Sequence, residues 1–498
     1  MQALAARLED TAAAMPRRIA IQHGARRIDY RTLRDAALCF AAGLGRHGVR
    51  PGDRVGLALP NGIEAAIAWY GCWRAGAVVV PLNVQARERD FATWLRHAGA
   101  RLLLHAQGHA DAARAAATAG VPALVLDPER DPTGMFAGVD AVAAAGLPMP
   151  DAAALAAILY TSGTTGAPKG VALSHRNLAA NTDSILDYLQ LGPEDSTVSV
   201  LPFYYAYGAS VLHTHLAVGA RVVLEDNTVF PHLVAGALAR ERATGFSGVP
   251  STFALLLDRG RLGDCDLSSL RYLTQAGGAM APALTRRVRD AFPGARLFVM
   301  YGQTEASARL TCLAPEQLDE RPGSVGTPIA GVQIRVRREG GADAAPGEQG
   351  EVWARGDNIM TGYWNAPEAT AAAVVDGWLR TGDLGHLDAD GFLWLAGRRA
   401  DMIKTGAHRV HPQDVEEVIA ELPGVREVAV AGIDDALLGQ VVAAYLVTGP
   451  GAPDEMAVKA HCLRRLAGYK IPKRVAFVAE LPKTASGKVR RAALTQGT

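Results

Sequence analysis

The stretch Tyr160-Thr161-Ser162-Gly163-Thr164-Thr165-Gly166-Ala167-Pro168-Lys169-Gly170 limits what this chain can be more than any other. An apolar run from Ala154 to Leu159 precedes it and reads as a buried strand. Ser174 follows it as the cap of a helix that carries Leu178, Ile185 and Leu189 on one face. The order is thus strand, loop of glycines and hydroxyls, helix. The glycines let the backbone approach a ligand with its N–H groups turned inward, while the hydroxyls and Lys169 offer donors to phosphate oxygens. Such a loop asks for a polyphosphate. It is not a Walker A loop, which needs G-x-x-x-x-G-K-[ST]. Five positions beyond Gly163 stands Pro168, and Gly170 after the lysine has no hydroxyl for magnesium.

At 498 residues the chain exceeds one core, and about 100 to 200 residues per domain suggests two to four subdomains. Up to about residue 150, strands at Val55 to Leu59, Ala77 to Val80 and Leu102 to Leu104 alternate with helical stretches such as Ile63 to Ala75. This is the pattern of a parallel, helix-covered sheet. A second alternating block follows the loop, with strands at Val198 to Leu201, Val222 to Glu225, Gly245 to Val249, Tyr272 to Gln275 and Leu297 to Tyr301, and a helix at Pro282 to Ala291. Ligands of such sheets bind at the carboxyl ends of the strands, where Pro202 to Gly208, Pro250 to Phe253, Ala276 to Ala279 and Gly302 to Glu305 would converge. Between about Pro322 and Ala396, short runs at Gln333 to Arg337, Gly350 to Arg355 and Phe392 to Leu395 read as an antiparallel sheet or distorted barrel. A compact α+β segment closes the chain, with helices at Asp414 to Leu422 and Pro453 to Leu466 and strands at Val425 to Ile433 and Gln440 to Val447.

The motif T-S-G-T-T-G-x-P-K-G resembles the signature loop of the adenylate-forming superfamily, which holds acyl- and aryl-CoA synthetases, adenylation domains and beetle luciferases. Further motifs in family order extend the resemblance over nearly the whole chain. It implies an α/β fold: a large N-terminal adenylation domain, 1–399, of two helix-covered, mainly parallel sheets (about 1–150 and 151–320) plus a small distorted β-barrel (321–396). A small mobile α+β lid, 400–498, would follow, hinged near Ala400. The stretches Pro51 to Gly62 and Gly76 to Asn83 resemble early motifs of the family and are assigned to packing.

The activity implied is ATP-dependent conversion of a carboxylic acid to an acyl-adenylate with release of pyrophosphate, then thioester formation with CoA. Thr161, Ser162, Gly163, Thr164, Thr165 and Lys169 would cradle phosphate. In Tyr301-Gly302-Gln303-Thr304-Glu305, Tyr301 would lie against adenine, Thr304 would bond the α-phosphate and Glu305, with Thr165, would hold Mg2+, a hard cation suited to oxygen ligands shared with phosphates. Ala276, Gly277 and Gly278 resemble the adenine cleft and the floor of the acyl pocket. That pocket would also take Tyr205, Tyr207, Gly208, Val249 and Gly302. In Trp378 to Asp383, Asp383 would accept from both ribose hydroxyls, and Arg398 would reach ribose or phosphate. Lys488, in the Pro482 to Lys488 motif, would offset charge as the α-phosphate reacts. Lys404, Thr405 and Gly406 would line the thiol tunnel after rotation of the lid.

Three departures matter. Ala400 stands where the family commonly has an Asp or Lys hinge, so a salt bridge poising one state is missing. Tyr205 stands at a position often held by a gating histidine, which removes titration there. No acid occurs between Phe203 and Leu212, which argues against a standard α-amino acid and favours an apolar or aromatic acid. Tyr204, Tyr205 and Tyr207 could equally be core aromatics with satisfied hydroxyls.

With 51 basic and 50 acidic residues the net charge is +1, which excludes a general footprint for nucleic acid or an anionic membrane. From Lys459 onward, however, ten Lys or Arg face a single acid, Glu480. That bias reads as a solvated face or as a surface for phosphates or an acidic carrier protein, so phosphopantetheine on such a carrier is the alternative acceptor to CoA. A luciferase-like oxygenase and a non-catalytic nucleotide-binding protein are the remaining alternatives. The five cysteines have no metal or disulfide spacing and are expected reduced and mostly buried. No long apolar run or leader pattern is found, so the expected site is cytoplasmic, with no membrane span and with a homodimer as one assembly.

Overall fold

This computed structural model describes residues 2–126, 146–161, 169–227, 229–398, 401–405, 408–435, 438–484 and 487–495. Two large sheets form the body. The first has seven strands in the order Gly362–Tyr363, Lys169–Ser174, Leu155–Thr161, Val78–Pro81, Arg54–Ala58, Ala100–Ala106 and Ala123–Leu126. The second has nine strands, and its centre is the parallel run Arg296–Tyr301, Tyr272–Gln275, Gly245–Gly248, Ser196–Ser199 and Arg221–Leu224. Strands predicted in these two sheets from the apolar runs are found within a residue or two, the predicted Phe392 to Leu395 strand of the third sheet runs on to Arg398, and the helix Pro282–Ala291 has the predicted limits.

The phosphate-loop reading needs one correction. The loop is followed by a second strand, Lys169–Ser174, antiparallel to Leu155–Thr161 with Thr161 opposite Lys169, and only then by the helix His175–Leu189. Val171, Ala172 and Leu173 are buried and drive that strand inward. The cap is as expected: Ser174 accepts from the Asn177 N–H, and the Asn177 side chain answers to the Ser174 N–H.

The sheets are interleaved along the chain. Strand Ile19–His23 pairs in parallel with Arg221–Leu224 of the second sheet, 201 residues away at Ile21 and Val222, while Gly362–Tyr363 closes the first sheet on Lys169–Ser174. Between the sheets run helices with no polar face. All twelve residues of Ile63–Arg74 are buried, as is most of Ala206–Ala217, because a helix covered on both sides must be apolar nearly all round. One core cluster takes residues from both sheets, among them Ile21 and Val222 on one side and Leu57, Leu104 and Leu173 on the other.

The third sheet is antiparallel and includes Val332–Arg337, Gly350–Gly356, Leu393–Arg398 and a ten-residue strand, Trp378–Leu387, that the sequence reading missed. The fourth belongs to the C-terminal unit. Its strands Val425–Asp435 and Gly439–Thr448 alternate strictly: Val430, Val442, Ala444 and Leu446 face helices Pro412–Ala420 and Glu455–Arg465, while Ala429, Ala431, Ala443 and Tyr445 face Leu481 and Leu494. Among the cysteines, Cys72 and Cys462 are buried but Cys39, Cys265 and Cys312 are half-buried, so "mostly buried" holds for two of the five. Among the described residues no helix is long and apolar enough to cross a membrane.

Candidate active site

The four expected segments meet at one end of the second sheet, because the strands that lead into them are adjacent and parallel. Gly302 follows strand Arg296–Tyr301, and a Cβ there would fall 2.1 Å from the Ala308 carbonyl oxygen, so the turn closes only on glycine. Beyond Glu305 the backbone is tense: Ser307 and Ala308 have φ of 58° and 134° without being glycine. Asn358 holds that turn, donating to the Ala306 and Arg309 carbonyls while its own carbonyl accepts from Ser307 Oγ. The Met360 N–H bonds the Glu305 carbonyl at 2.8 Å.

Tyr301 and Asp383, 82 residues apart, are joined by a 2.6 Å bond from the phenol to Oδ2 in a buried setting. Asp383 lies in the missed strand, and its cross-strand partner is Arg398, of which the backbone is described. The two motif residues are therefore neighbours across one ladder. Glu305 Oε1 accepts from Tyr363 Oη at 2.9 Å, and Lys169 Nζ stands 5.2 Å from the centroid of the same ring. Ser162, Gly163, Thr164, Thr165, Ala400 and Gly406 fall outside the described residues.

Four of the residues expected to line the acyl pocket, Tyr207, Val249, Ala276 and Gly277, lie on segments that follow adjacent parallel strands of the second sheet. Tyr207 Oη donates to the Thr274 carbonyl at 2.9 Å, and the Arg309 guanidinium lies 4.1 Å from its ring centroid. Burial pushes the Tyr207 phenol up while Arg309 pulls it down, so the hydroxyl stays a neutral donor. The rings of Tyr204 and Tyr205 meet at a tilt of 57° with centroids 4.6 Å apart, Tyr204 buried and Tyr205 half-buried. Tyr204 and Tyr207 are thus core aromatics in part, Tyr204 by its burial and Tyr207 by its bonded hydroxyl. Gly208 packs against the Pro202 carbonyl. Ala276 is buried, and Gly277 backs onto Val249.

Lys488 is carried on a turn of the C-terminal unit in which the Thr484 N–H donates to the Lys488 carbonyl at 2.7 Å. Gly487 makes that turn with φ of 79°, and a Cβ there would lie 3.0 Å from both Ser251 Oγ and Val249 Cγ2. The lysine turn is therefore docked on Val249 and Ser251, just beyond the strand Gly245–Gly248. Lys404 and Thr405 sit on the strand Ile403–Thr405, between His408–Val410 and Gly439–Thr448 in the same unit's sheet.

A magnesium ion fits these residues. Glu305 has one oxygen held by Tyr363 and, among the described residues, no bond to the other. No group of three His, Cys, Asp or Glu that could cage a metal occurs among the described residues.

Sequence reasoning missed three contributors. Tyr363 touches both Lys169 and Glu305. Arg309 is a 2% exposed cation under the pocket. Asn61, in a stretch assigned to packing, bonds the Leu201 carbonyl and the Phe203 N–H and so fixes the approach to Tyr205 and Tyr207. A buried arginine 102 residues beyond the tyrosine it covers leaves no local signal, but an asparagine shortly after an apolar strand could have been noted.

Comparison with known proteins agrees with this geometry. Residues 8–364 match the family described as AMP-binding enzyme, and residues 414–488 match the AMP-binding enzyme C-terminal domain. A feruloyl-CoA synthase of Amycolatopsis sp is 35% identical over 480 residues, 95% of this chain and 94% of that protein. A sulfoacetate–CoA ligase of Cupriavidus necator is 36% identical over 462 residues, 91% of this chain and 88% of that one. Among solved structures, the anthranilate CoA ligase AuaEII in complex with anthranoyl-AMP superposes with a TM-score of 0.92 at 27% identity, covering 99% of this chain and 96% of that one. ATP-bound MatB from Rhodopseudomonas palustris gives 0.90 at 32%, covering 99% and 97%.

Proposed function

The chain belongs to the AMP-binding enzymes, and from that membership we propose how its residues divide an AMP-forming acid–CoA ligation into two half-reactions. The enzyme uses ATP, Mg2+ and CoA, activates a carboxylic acid as its adenylate and passes the acyl group to the CoA thiol. In the first half, a carboxylate oxygen attacks the α-phosphorus as the bond to the β-phosphate oxygen breaks, and pyrophosphate leaves with the electron pair. In the second, the thiol sulfur, its proton lost to solvent, attacks the acyl carbon and AMP departs.

The observation that carries the assignment of roles is the meeting of residues far apart in the chain: Tyr301 on Asp383, Glu305 and Lys169 on the one Tyr363 ring, and the Lys488 turn on Val249. Asp383 and Arg398 orient ribose, with Tyr301 fixing the carboxylate and presenting its ring to adenine. Thr304 bonds the α-phosphate. Thr161, Ser162, Gly163, Thr164, Thr165 and Lys169 hold the leaving phosphates. Glu305 and Thr165 hold magnesium, which when bound neutralises phosphate charge. Lys488 bridges the carboxylate and α-phosphate and opposes the charge that builds as they react. A body of 1–399 and a lid of 400–498, hinged at Ala400, then rotate so that Lys404, Thr405 and Gly406 admit the thiol.

The substrate is an apolar or aromatic carboxylic acid. The wall of Tyr207, Val249, Ala276 and Gly277 supports this, as do the feruloyl and anthranilate ligases among the relatives. Acid-dependent pyrophosphate exchange over fatty, aryl and amino acids tests it; exchange with amino acids alone would refute it.

Loading of an acidic carrier protein is the second reading. Arg464, Lys473 and Arg474 favour it, having no ion pair among the described residues, whereas Lys459, Arg465, Lys470, Lys483 and Arg491 are already matched by carboxylates. Product mass after incubation with CoA or a holo carrier separates the two. A cytoplasmic homodimer is the expected setting, open to sedimentation analysis.

A further inference from the structure

Lys169 and Glu305 carry opposite charges at the same corner of the crevice, yet among the described residues no ion pair joins them. What lies between is one ring. Tyr363 gives its edge to Glu305, as a 2.9 Å hydrogen bond from Oη to Oε1, and its face to Lys169, whose ammonium lies 5.2 Å from the centroid. The ring itself is tied down on both sides. Tyr363 pairs with Val171 across the short ladder, the Trp364 N–H bonds the Gly170 carbonyl at 2.7 Å and the Tyr363 N–H bonds Thr370 Oγ1 at 2.8 Å. Three residues earlier, the Met360 N–H holds the Glu305 carbonyl. One five-residue segment thus fastens the exit of the phosphate loop to the metal-binding turn.

We propose that Tyr363 is a positioning residue that spaces Lys169 from Glu305, so that neither neutralises the other before a metal–triphosphate arrives. Glu305 is half-buried and Lys169 exposed; even near a protein surface opposite charges attract more strongly than in bulk water, and a direct lysine–glutamate pair would have to be broken each time phosphate and metal bind. A phenol suits the gap. Its quadrupole satisfies the cation without consuming a negative charge, and its hydroxyl satisfies one carboxylate oxygen while leaving the other for a metal. This rests on the reading of Glu305 as metal ligand and Lys169 as phosphate ligand given above.

The test uses the full chain with Tyr363→Phe and Tyr363→Leu, and Glu305→Gln as reference. Mn2+ affinity in the presence of ATP is read by electron paramagnetic resonance, alongside melting temperature and the KM and kcat of pyrophosphate exchange. Phe keeps the face and loses the hydroxyl, so Mn2+ affinity falls about fivefold with little change in the KM for ATP. Leu loses both and lets the charges collapse together, so Mn2+ affinity and the KM for ATP both worsen about tenfold, while kcat at saturation changes less than about threefold. If Glu305→Gln weakens Mn2+ binding and neither tyrosine variant does, the spacer role is wrong. If Glu305→Gln also leaves Mn2+ binding intact, the metal-ligand reading fails and the proposal with it. Should the Leu variant melt below assay temperature, the Phe variant decides alone.

Discussion

The body and the C-terminal unit bury their side chains in opposite ways. The body surrounds apolar helices with two sheets and closes histidines, tyrosines and Arg309 deep inside. The C-terminal unit is one sheet with helices on one face and the Lys488 segment on the other, and it meets the body through the Gly487 turn and a 3.7 Å pair between Arg426 and Asp258. On the proposed function this difference is a division of labour: the body would fix where substrates lie, while the Lys488 of the C-terminal unit would act only when its turn is docked.

Acid gives the largest expected separation. Burial lowers His213 to about 3 and His215 and His175 to about 4, well below the ordinary 6.5. Because the unfolded chain takes up these protons first, the stability they support is complete above pH 6.5 and is lost as the pH falls toward 4. Each costs up to about 1.4 kcal/mol per pH unit. Urea midpoints of the body are expected to be flat from pH 8 to 6.5 and to fall steeply below it; a flat profile down to pH 5 would contradict the buried neutral histidines.

Lys488→Ala comes next. Adenylation is expected to drop about 10²-fold or more, as loss of one charge stabiliser costs roughly 3 to 4 kcal/mol, while thiol transfer from supplied acyl-AMP persists. Equal loss in both halves would erase the proposed asymmetry. Gly406→Leu should do the reverse, cutting thioester formation about tenfold by overfilling a narrow passage and sparing pyrophosphate exchange. Gly487→Val attacks docking itself: its positive φ and its 3.0 Å neighbours on the body predict about a tenfold fall in adenylation with no change in the body's melting. Smallest is Arg426→Ala. Its partly exposed ion pair should be worth less than about 1 kcal/mol, and the effect on adenylation should vanish in high salt.

Much of this was legible in the sequence where the signal was local. Apolar runs located Tyr272–Gln275 and Arg296–Tyr301, the stretch from Pro282 to Ala291 read as a helix, and Ser174 announced a helix cap. Trp378–Leu387 escaped because Gly382 and Gly385 with three charged or polar neighbours mask its alternation, although it holds Asp383. Lys169–Ser174 escaped because a glycine at its second position reads as loop. Tyr363, Asn61 and Arg309 were hidden for another reason. Each acts on residues tens to hundreds of positions away, and no window of sequence contains both partners.

The crossing of the chain between its sheets bears on how the molecule is made. Strand Ile19–His23 finds Arg221–Leu224 only after more than two hundred residues have left the ribosome. Until then, the hairpin near the N-terminus offers a bare hydrogen-bonding edge to any other nascent chain. The body must therefore mature late and as a whole, and fragments cut from its front half are poor candidates for independent expression.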